Sequence, residues 1–514
     1  MPGGFENILA PFLYELRKLE SEQGVRIEVD GEPYCLRATL TVLCADTLAA
    51  HEILGFLAPS AHRFCRKCMI CRADFRMDLN ATNQKRTRAL FDQHVETVRR
   101  NKRYSTQCGV RTTCPLHVSK NFDATEDAVF DVLHDLLEGV CHWVISLTLR
   151  SFIQESKYFT LVDFNARIAA FDYGIPDAKN KPSANFSVDS LKGSKLKQKG
   201  SQMWCLTRIF GFLVADVPED DPHLKLVNYL QRIMLTVFAE EVRPNDVDGM
   251  EHLIEDHHRL FQELHMTADA NVLDELSDSD YEELADDPGE DEMQLNVPGA
   301  RKKVSPGNKL HHMKHLADEF RKFGSLIRYW CMRYEGRHHI FCKYGSVCCN
   351  FINIVKSMAK MFQVSTLAGI QKTSYRANEI ELQSPYDISV ETCCHRGLLL
   401  GMGLRPTDVV AHVSAVKIAG EDYRSGLFVV TEANGPTFAI IQQVYAFEAQ
   451  VFLVLLPWQT VEFKERYCAY EVKPAAVNQP IIVTHNNLAK HGAFAPWNPW
   501  TQRTTFIAPR NIIF

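Results

Sequence analysis

Four residues in two distant parts of the chain have the types and spacings of a metal site. Cys65 and Cys68 are separated by two residues, and His311 and His315 follow one helical turn apart. Two thiolates on one tight turn can reach the same ion, and a tetrahedral site needs two further ligands such as imidazoles. We therefore predict that the histidine pair completes a metal site begun by the cysteine pair.

The C-x-x-C segment has two other interpretations. The sulfurs could be free thiols in a loop, or His62 and Cys71 could complete a local site with Cys65 and Cys68. The local site is geometrically awkward, because three consecutive short spacings crowd one ion. The distant histidine pair is therefore the preferred partner.

Two acids have the positions expected of a catalytic pair. Asp46 ends the β-rich, apolar run CLRATLTVLCAD, and Glu335 follows the histidine pair. Sites in α/β proteins are built where strands end, which favours a functional role for Asp46. The alternative is that Asp46 caps a helix beginning at Thr47, since aspartate is a common helix cap.

A further group of polar residues lies within a predicted helix over residues 125–153. Asp131, His134, Asp135 and Glu138 are three or four residues apart and so share one flank. Buried carboxylates beside a histidine can carry acid–base or metal chemistry. A solvated polar face of the helix is the alternative interpretation.

Composition indicates an ordinary globular protein. The sequence contains no run of eighteen apolar residues and no signal peptide pattern, so we predict neither a transmembrane helix nor secretion. Sixteen cysteines without a secretory signal indicate a reducing, intracellular compartment. Eleven acids and no lysine or arginine occupy residues 274–292, so the rest of the chain is mildly basic and compatible with nucleic acid.

Periodicity predicts helices in the first two-thirds of the chain and strands in the last third. The acidic stretch 273–294 is predicted to be a disordered linker. Residues 85–103 are basic and could be a nuclear import signal, a phosphate-contacting patch or a solvated helix end. The predicted helices are 5–19, 125–153, several over 202–265, and 350–363. The predicted strands are 25–29 and 34–44 about an Asp30-Gly31 turn, then short runs from 409 to 463, before an irregular tail.

Several motifs follow one another in a fixed order. They are Asp46 followed by Gly55-Phe56, FCRKC (64–68), FDVLHDLLEGV (130–140), SQMW (201–204), EDHH (255–258), HHMKH (311–315) and WCMRYEGRH (330–338). Together they resemble transposase-like proteins left by DNA transposons in animal genomes, in the group that includes CACTA-type elements. The chain is more distantly similar to the catalytic subunit of the V(D)J recombinase. The resemblance covers roughly residues 5–365.

The resemblance implies an α+β chain with an incomplete RNase H-like core, a large helical insertion and a small β-barrel-like domain at the C-terminus. Asp46 and Glu335 match the second and third acids of an Asp-Asp-Glu triad. Cys65, Cys68, His311 and His315 match a structural zinc site that pins the insertion to the core. Asp131 and His134 match a D-x-x-H motif of open role. The implied parts are a partial core (1–60), the insertion with its linker (61–305), the return to the core (306–370), the β-rich domain (375–480) and the tail (481–514).

Three functions follow as expectations. The strand carrying the family's first aspartate has no counterpart here, so we expect an N-terminally truncated transposase-derived protein that does not catalyse strand transfer. The first alternative is an active enzyme completed by an upstream segment, using Mg²⁺ or Mn²⁺ to cut DNA. The second is a domesticated module that binds DNA or protein. The expected partners are transposon-end DNA and a second copy of the chain, without a membrane, in the nucleus or cytoplasm.

Overall fold

The computed structural model describes residues 4–192, 196–266, 307–348, 352–371, 380–433, 435–477 and 479–513. These residues form a mixed α+β structure, as predicted. The acidic stretch 273–294, predicted to be a disordered linker, lies outside the described residues.

Helices account for most of the regular structure before residue 371. In chain order they are α1 (Gly4–Leu19), α2 (Thr47–Leu54), α3 (Arg72–Met77), α4 (Arg88–Arg100), α5 (Ser105–Cys108), α6 (Cys141–Arg150), α7 (Leu161–Ala170), α8 (Gly174–Asp177), α9 (Val188–Lys192), α10 (Gly200–Leu213), α11 (Pro222–Val237), α12 (Pro244–His265), α13 (Asn308–Met313), α14 (Leu316–Phe323), α15 (Met332–Cys348), α16 (Ile354–Gln371) and α17 (Arg396–Gly401). The predicted helices at 5–19, over 202–265 and near 350–363 are thereby confirmed.

Strands lie near the N-terminus and after residue 379. In chain order they are β1 (Val25–Val29), β2 (Glu32–Leu36), β3 (Leu43–Cys44), β4 (Ala128–Val129), β5 (Ile380–Gln383), β6 (Tyr386–Ser389), β7 (Val409–Val413), β8 (Ala415–Ile418), β9 (Glu421–Arg424), β10 (Phe428–Glu432), β11 (Thr437–Phe447), β12 (Gln450–Lys464), β13 (Ala469–Pro474), β14 (Ile481–Thr484), β15 (Lys490–Phe494) and β16 (Thr505–Ile507).

The chain divides into two compact units. The first unit comprises Met1–Cys141 and Thr236–Cys331, and the second comprises His142–Leu235 and Met332–Phe514. All the predicted metal ligands belong to the first unit. The predicted domain boundaries remain predictions.

The first unit packs helices against two short pairs of strands. Leu13 and Leu16 of α1 enter a hydrophobic cluster with Leu54 of α2 and Phe91 of α4. Strands β1 and β2 form an antiparallel hairpin, and both residues of its Asp30-Gly31 turn have positive φ. Such a turn matches the twist of the flanking strands. The strand predicted over 34–44 is not continuous, because β2 ends at Leu36 and β3 begins at Leu43.

The helix predicted over residues 125–153 is wrong at its N-terminal end. Ala128 and Val129 form β4 and pair in parallel with Leu43 and Cys44 of β3. The helical structure starts at Leu133 with a π-helical segment. Ala128 and Val129 are almost completely buried, so pairing with β3 inside the core overrides the local helical period.

One helical stretch, Leu133–Glu155, is long and apolar enough to cross a membrane, whereas the sequence predicted no such helix. Within its most apolar window, 78% of the residues are buried in the folded chain. Core helices of globular proteins share this length and composition, so the stretch is weak support for a membrane span.

The second unit combines helices with two antiparallel sheets. The larger sheet follows the order β15-β10-β11-β12-β13-β16, and β14, β7 and β6 branch from it. The smaller sheet has the order β5-β8-β9. Among the described residues the strands do not close into a barrel, so the predicted barrel-like form is wrong. The long strands β11 and β12 each pair with several partners, and the sheet therefore branches.

Two further details of the β-rich region differ from prediction. The runs predicted near residues 450–455 and 461–463 are one strand, β12, of 15 residues. The tail, predicted to be irregular, contributes β14, β15 and β16 to the larger sheet. The runs of alternating apolar residues in this tail are few and short. Pairing with the longer strands of the sheet stabilises them as strands.

Candidate metal centre and its buried surroundings

The four predicted metal ligands converge in the first unit. Their ligand atoms all lie within 4.8 Å of one another, and all four side chains are buried. Cys65 Sγ is 3.3 Å from His315 Nε2, and Cys68 Sγ is 3.3 Å from His311 Nε2. The two Nε2 atoms are 3.1 Å apart. The centre thus joins residues about 250 positions apart in the chain.

One buried arginine holds the turn that carries the cysteines. The Arg86 guanidinium donates to the carbonyl oxygens of Cys65 at 3.0 Å and Cys68 at 3.2 Å. It also donates to the carbonyl oxygen of Cys108 at 2.9 Å. A planar guanidinium fixes the direction of several acceptors at once. Arg86 therefore fixes the cysteine turn and joins it to the segment that carries Cys108.

The two histidines are oriented by a helix break and by aromatic rings. His311 lies in α13 and His315 caps α14, so the pair spans a turn between two short helices and not one continuous helix. Phe64 and Phe75 meet the His311 ring edge-on at centroid distances of 5.3 and 5.4 Å. These contacts hold the His311 ring with Nε2 towards the sulfurs.

The geometry fits a tetrahedral ion. With metal–ligand bonds of about 2.0–2.3 Å, ligand atoms in a zinc site lie roughly 3.3–3.8 Å apart, a few tenths more than the separations here. Burial raises the pKa of the Cys65 thiol, but its hydrogen bond with Cys68 and the charges of His315 and His311 lower that pKa well below its usual value. The same hydrogen bond raises the pKa of the Cys68 thiol, so the two sulfurs share one easily lost proton. The cluster could therefore hold a metal such as zinc.

The local alternative with His62 and Cys71 is not the cluster that forms. Among the described residues, the group that includes Cys65 and Cys68 contains neither of them. The Cys71 sulfur instead accepts a hydrogen bond from the Asp74 amide at 3.4 Å and caps α3. The Cys71 sulfur therefore has a different partner from the sulfurs of Cys65 and Cys68.

Asp46 caps a helix, which was the alternative interpretation. Its carboxylate accepts a hydrogen bond from the Ala49 amide at 2.8 Å at the start of α2. Asp46 also follows β3, and Asp131 follows β4, the parallel neighbour of β3. The carboxyl ends of parallel strands meet at one sheet edge, where sites in such sheets are built. Both acids therefore lie at the edge that a catalytic role would require.

Asp131 belongs to a second polar cluster and not to a solvated face. It is 2% exposed, and its carboxylate bonds to His134 Nδ1. It also accepts from the amides of Leu133 at 3.2 Å and Cys331 at 2.9 Å. Asp131, His134 and Cys331 form a second group whose ligand atoms lie within 4.8 Å of one another. The predicted Asp131–His134 pair is therefore formed.

Glu335 lies in the second unit. It is exposed in the first turn of α15. Asp46, its predicted catalytic partner, is in the first unit. The pairing of these two acids remains a prediction.

Comparisons with known proteins give no family. A scan of the sequence against protein-family models finds no match, and a search of curated proteins finds no similar sequence. The resemblance to transposases therefore rests on the order of the motifs in the sequence and remains a prediction.

The sequence did not reveal a buried histidine–aspartate pair beside the candidate metal centre. His312 Nδ1 lies 2.9 Å from Asp135 Oδ2, and the Thr47 hydroxyl donates to the other oxygen at 3.2 Å. Burial raises the pKa of Asp135, but the charge of His312 and its hydrogen bond outweigh that effect and lower it. The His311-His312 doublet was the available signal, because adjacent helical side chains point in different directions and so serve different partners.

Arg66 lies within the FCRKC motif, and its spacing alone predicts no role for it. Its side chain is fully buried, and its guanidinium carbon lies 3.7 Å from the centre of the Phe130 ring. Among the residues that the structure describes, none hydrogen-bonds to its three nitrogens. Burial lowers the Arg66 pKa, whereas the charges of Glu319 and Asp135 raise it. The Arg66 cation is thus stabilised by its contact with the Phe130 ring and by the negative charges of Glu319 and Asp135.

Glu319 is a buried acid that lines a cleft of about 340 Å³ next to His315. Both carboxylate oxygens accept from the Phe130 amide at 3.1 Å, and Lys67 Nζ lies 3.7 Å away. Burial raises the pKa of Glu319 to about 7, although Lys67 and Arg66 oppose the shift. Burial also lowers the pKa of Lys67. Both groups are therefore pushed towards their neutral forms.

The raised pKa of Glu319 predicts a pH-dependent stability. The folded protein holds this proton more tightly than the unfolded chain, so the stabilisation is complete below pH 4.5 and is lost as the pH rises through 7. The shift corresponds to about 3 kcal/mol at most. Glu319→Gln should therefore gain stability relative to the unchanged protein between pH 5 and pH 8, measured by urea unfolding.

A control separates this group from others that titrate over the same range. Glu126 lines the same cleft, but its side chain is 50% exposed in a pair with Lys322. Glu126→Gln should show a constant difference from the unchanged protein across the range. If the difference in free energy of unfolding for Glu319→Gln is also constant across this pH range, the folded protein does not hold the Glu319 proton more tightly than the unfolded chain.

Proposed function

We propose that this chain is a transposase-derived protein in which a structural zinc ion organises the first unit and that unit binds DNA without cutting it. The observation that carries the proposal is the buried convergence of Cys65, Cys68, His311 and His315. These are the residues that the transposase resemblance assigns to zinc. Bound zinc would supply a fixed link between the two segments of the unit.

The strand arrangement supports an RNase H-like core. Strands β3 and β4 are parallel, β3 is half-buried and β4 is buried, and an aspartate follows each of them. Acids after neighbouring parallel strands are what such a core uses to build its site. In this proposal, β3 and β4 are neighbouring strands of that core.

The bonds of the two aspartates support binding without cutting. The Asp46 carboxylate caps α2, and Asp131 bonds to His134 and to two backbone amides. A pair of Mg²⁺ ions needs carboxylate oxygens free to bind metal and substrate. Here Oδ1 of Asp46 and both carboxylate oxygens of Asp131 are engaged in bonds within the fold.

The C-terminal end of α4 supports contact with nucleic acid. Arg99 and Arg100 have side chains 77% and 78% exposed, and Lys102, Arg103 and Tyr104 follow in exposed positions. We call these five residues the α4 basic patch. Exposed arginine and lysine bind phosphates, and an exposed aromatic ring can stack on a base. Of the two expected compartments, nucleus and cytoplasm, DNA binding favours the nucleus in this proposal.

Removing charge from the α4 basic patch is expected to weaken DNA binding. For Arg99→Gln/Arg100→Gln, the slope of log K against log salt should fall by about 0.9 for each DNA phosphate that the protein no longer neutralises. Fluorescence anisotropy with a labelled duplex over a range of salt concentrations measures this slope.

The matched control removes the same net charge from another helix end. Arg17 and Lys18 are exposed in the last turn of α1. Arg17→Gln/Lys18→Gln should leave the salt slope unchanged. Equal losses in the two double variants would mean that net charge, and not the α4 basic patch, governs binding, and no measurable binding at low salt would contradict the proposed function.

An active strand transferase using Mg²⁺ or Mn²⁺ is the second candidate. The observation that favours it is the position of Asp46 and Asp131 after neighbouring parallel strands. Incubation of the purified chain with labelled DNA ends and either ion distinguishes the two functions. Intact DNA supports the first proposal. Cleavage that is lost in Asp46→Asn and in Asp131→Asn would establish the second.

A further inference from the structure

The second unit contains another set of soft ligands in three consecutive residues. Cys393, Cys394 and His395 lie just before α17, and their ligand atoms are within 4.8 Å of one another. Cys394 Sγ is 3.4 Å from His395 Nδ1. All three atoms face the hydroxyl of Tyr445 on β11, at 3.1, 3.7 and 2.9 Å respectively.

Packing holds this cluster in place. Cys393 and Tyr445 are buried in a hydrophobic cluster with Val390 and Leu399. The His395 carbonyl accepts from the Leu399 amide at 3.1 Å at the start of α17. The His395 amide donates to Cys393 Sγ at 3.4 Å. Consecutive residues would ordinarily crowd one ion, but here the bend before α17 and the packing against Tyr445 bring the three ligand atoms together, which does not happen for His62 and Cys71 among the described residues.

The residue types match a borderline or soft divalent cation. Two thiolates and an imidazole suit zinc or cobalt better than they suit magnesium or calcium. Ligand atoms around a tetrahedral zinc ion lie roughly 3.3–3.8 Å apart, close to the separations within this cluster. The Tyr445 oxygen lies where a fourth ligand would be needed. Binding would release the two thiol protons to solvent, because the thiolate is the binding form.

We propose that Cys393, Cys394 and His395, with Tyr445, form a second metal site for zinc or a chemically similar divalent cation. This site is independent of the proposed function, which rests on the first unit. Cys394 is exposed, whereas all four ligands of the first centre are buried. Ions should therefore exchange more readily at the second site, and it should respond first to changes in metal supply.

Cobalt titration of the purified, reduced chain tests the second site. Thiolate-to-cobalt charge-transfer absorption and the content of bound metal measure how many equivalents of cobalt each chain binds. Cys394→Ser should bind one equivalent fewer than the unchanged chain and lose part of the thiolate absorption. A chelator should remove that equivalent before the rest. Because Cys394 is exposed, this substitution leaves the core intact, which a matching urea midpoint would verify.

The control is another exposed cysteine of the second unit. Cys342→Ser removes an exposed thiol on α15 and should bind as many equivalents as the unchanged chain. Tyr445→Phe keeps the buried ring and should weaken binding of the same equivalent. Unchanged stoichiometry in Cys394→Ser, or equal losses in Cys394→Ser and Cys342→Ser, would overturn the proposal.

Discussion

Cys68→Ser is expected to release the ion of the first metal centre and to destabilise the first unit by more than about 4 kcal/mol. A serine hydroxyl does not ionise near neutral pH, so it replaces a thiolate ligand poorly. The remaining ligands are buried, and loss of the ion removes the coordination bonds that join Cys65 to His311 and His315. Chelator treatment of the unchanged protein should lower the urea midpoint in the same way.

The matched control is the neighbouring Cys71. It lies on the same loop and is similarly buried, but its sulfur caps α3. Serine is a good helix cap, so Cys71→Ser should change the free energy of unfolding by no more than about 1 kcal/mol. Equal losses in the two variants would show that loop packing, and not metal binding, explains the effect of Cys68→Ser.

Arg66→Met is expected to destabilise the first unit by about 3–5 kcal/mol, the cost of removing one partner from a buried set of charges. Methionine keeps much of the volume and the packing against the Phe130 ring. It removes the cation that Glu319 and Asp135 face in the core. The free energy of unfolding at pH 7, from urea titration, measures the loss.

The size of this effect depends on the buried acids, which a double variant can show. In Arg66→Met/Glu319→Gln, one of the acids left without a cation becomes neutral, so the loss should be smaller than the sum of the two single changes. Arg99→Met removes an exposed arginine and should change stability by less than about 0.5 kcal/mol. Additive losses in the double variant would mean that Arg66 contributes through packing alone.

The sequence was sufficient to predict that four distant side chains form one cluster that could hold a metal such as zinc, because their types and spacing are those of metal ligands. Cys65 and Cys68 must share a turn, and His311 and His315 must share one side of the chain. The prediction used only ligand type, spacing and the need for four partners. It required no knowledge of the path between the two pairs.

The partners of the buried charges could not be predicted from spacing. Asp135 was noted on a polar flank, but its partner His312 is 177 residues away. Arg66 interacts with Glu319 and Asp135 through electrostatic attraction across the core and not through a hydrogen bond. A sequence motif does not reveal such an interaction. Such pairings depend on how distant segments pack, and residue order alone does not specify that packing.

The short strand β4 shows the same limit at the level of secondary structure. Two residues are too few for an alternating pattern, and the apolar positions around Ala128 and Val129 continue the period of the following helix. Their pairing with β3 is what places Asp131 at a strand end beside Asp46. The position of Asp131 therefore depends on a strand pairing that the local sequence does not reveal.

Zinc coordination in the first centre tests the account most directly. The sample is the Cys394→Ser variant loaded with one equivalent of zinc, because this variant lacks the second proposed site. Its X-ray absorption spectrum at the zinc edge should show two sulfurs at about 2.3 Å and two nitrogens at about 2.0–2.1 Å. A shell of oxygens alone, or no tightly bound zinc, would contradict the claim that Cys65, Cys68, His311 and His315 hold a metal ion.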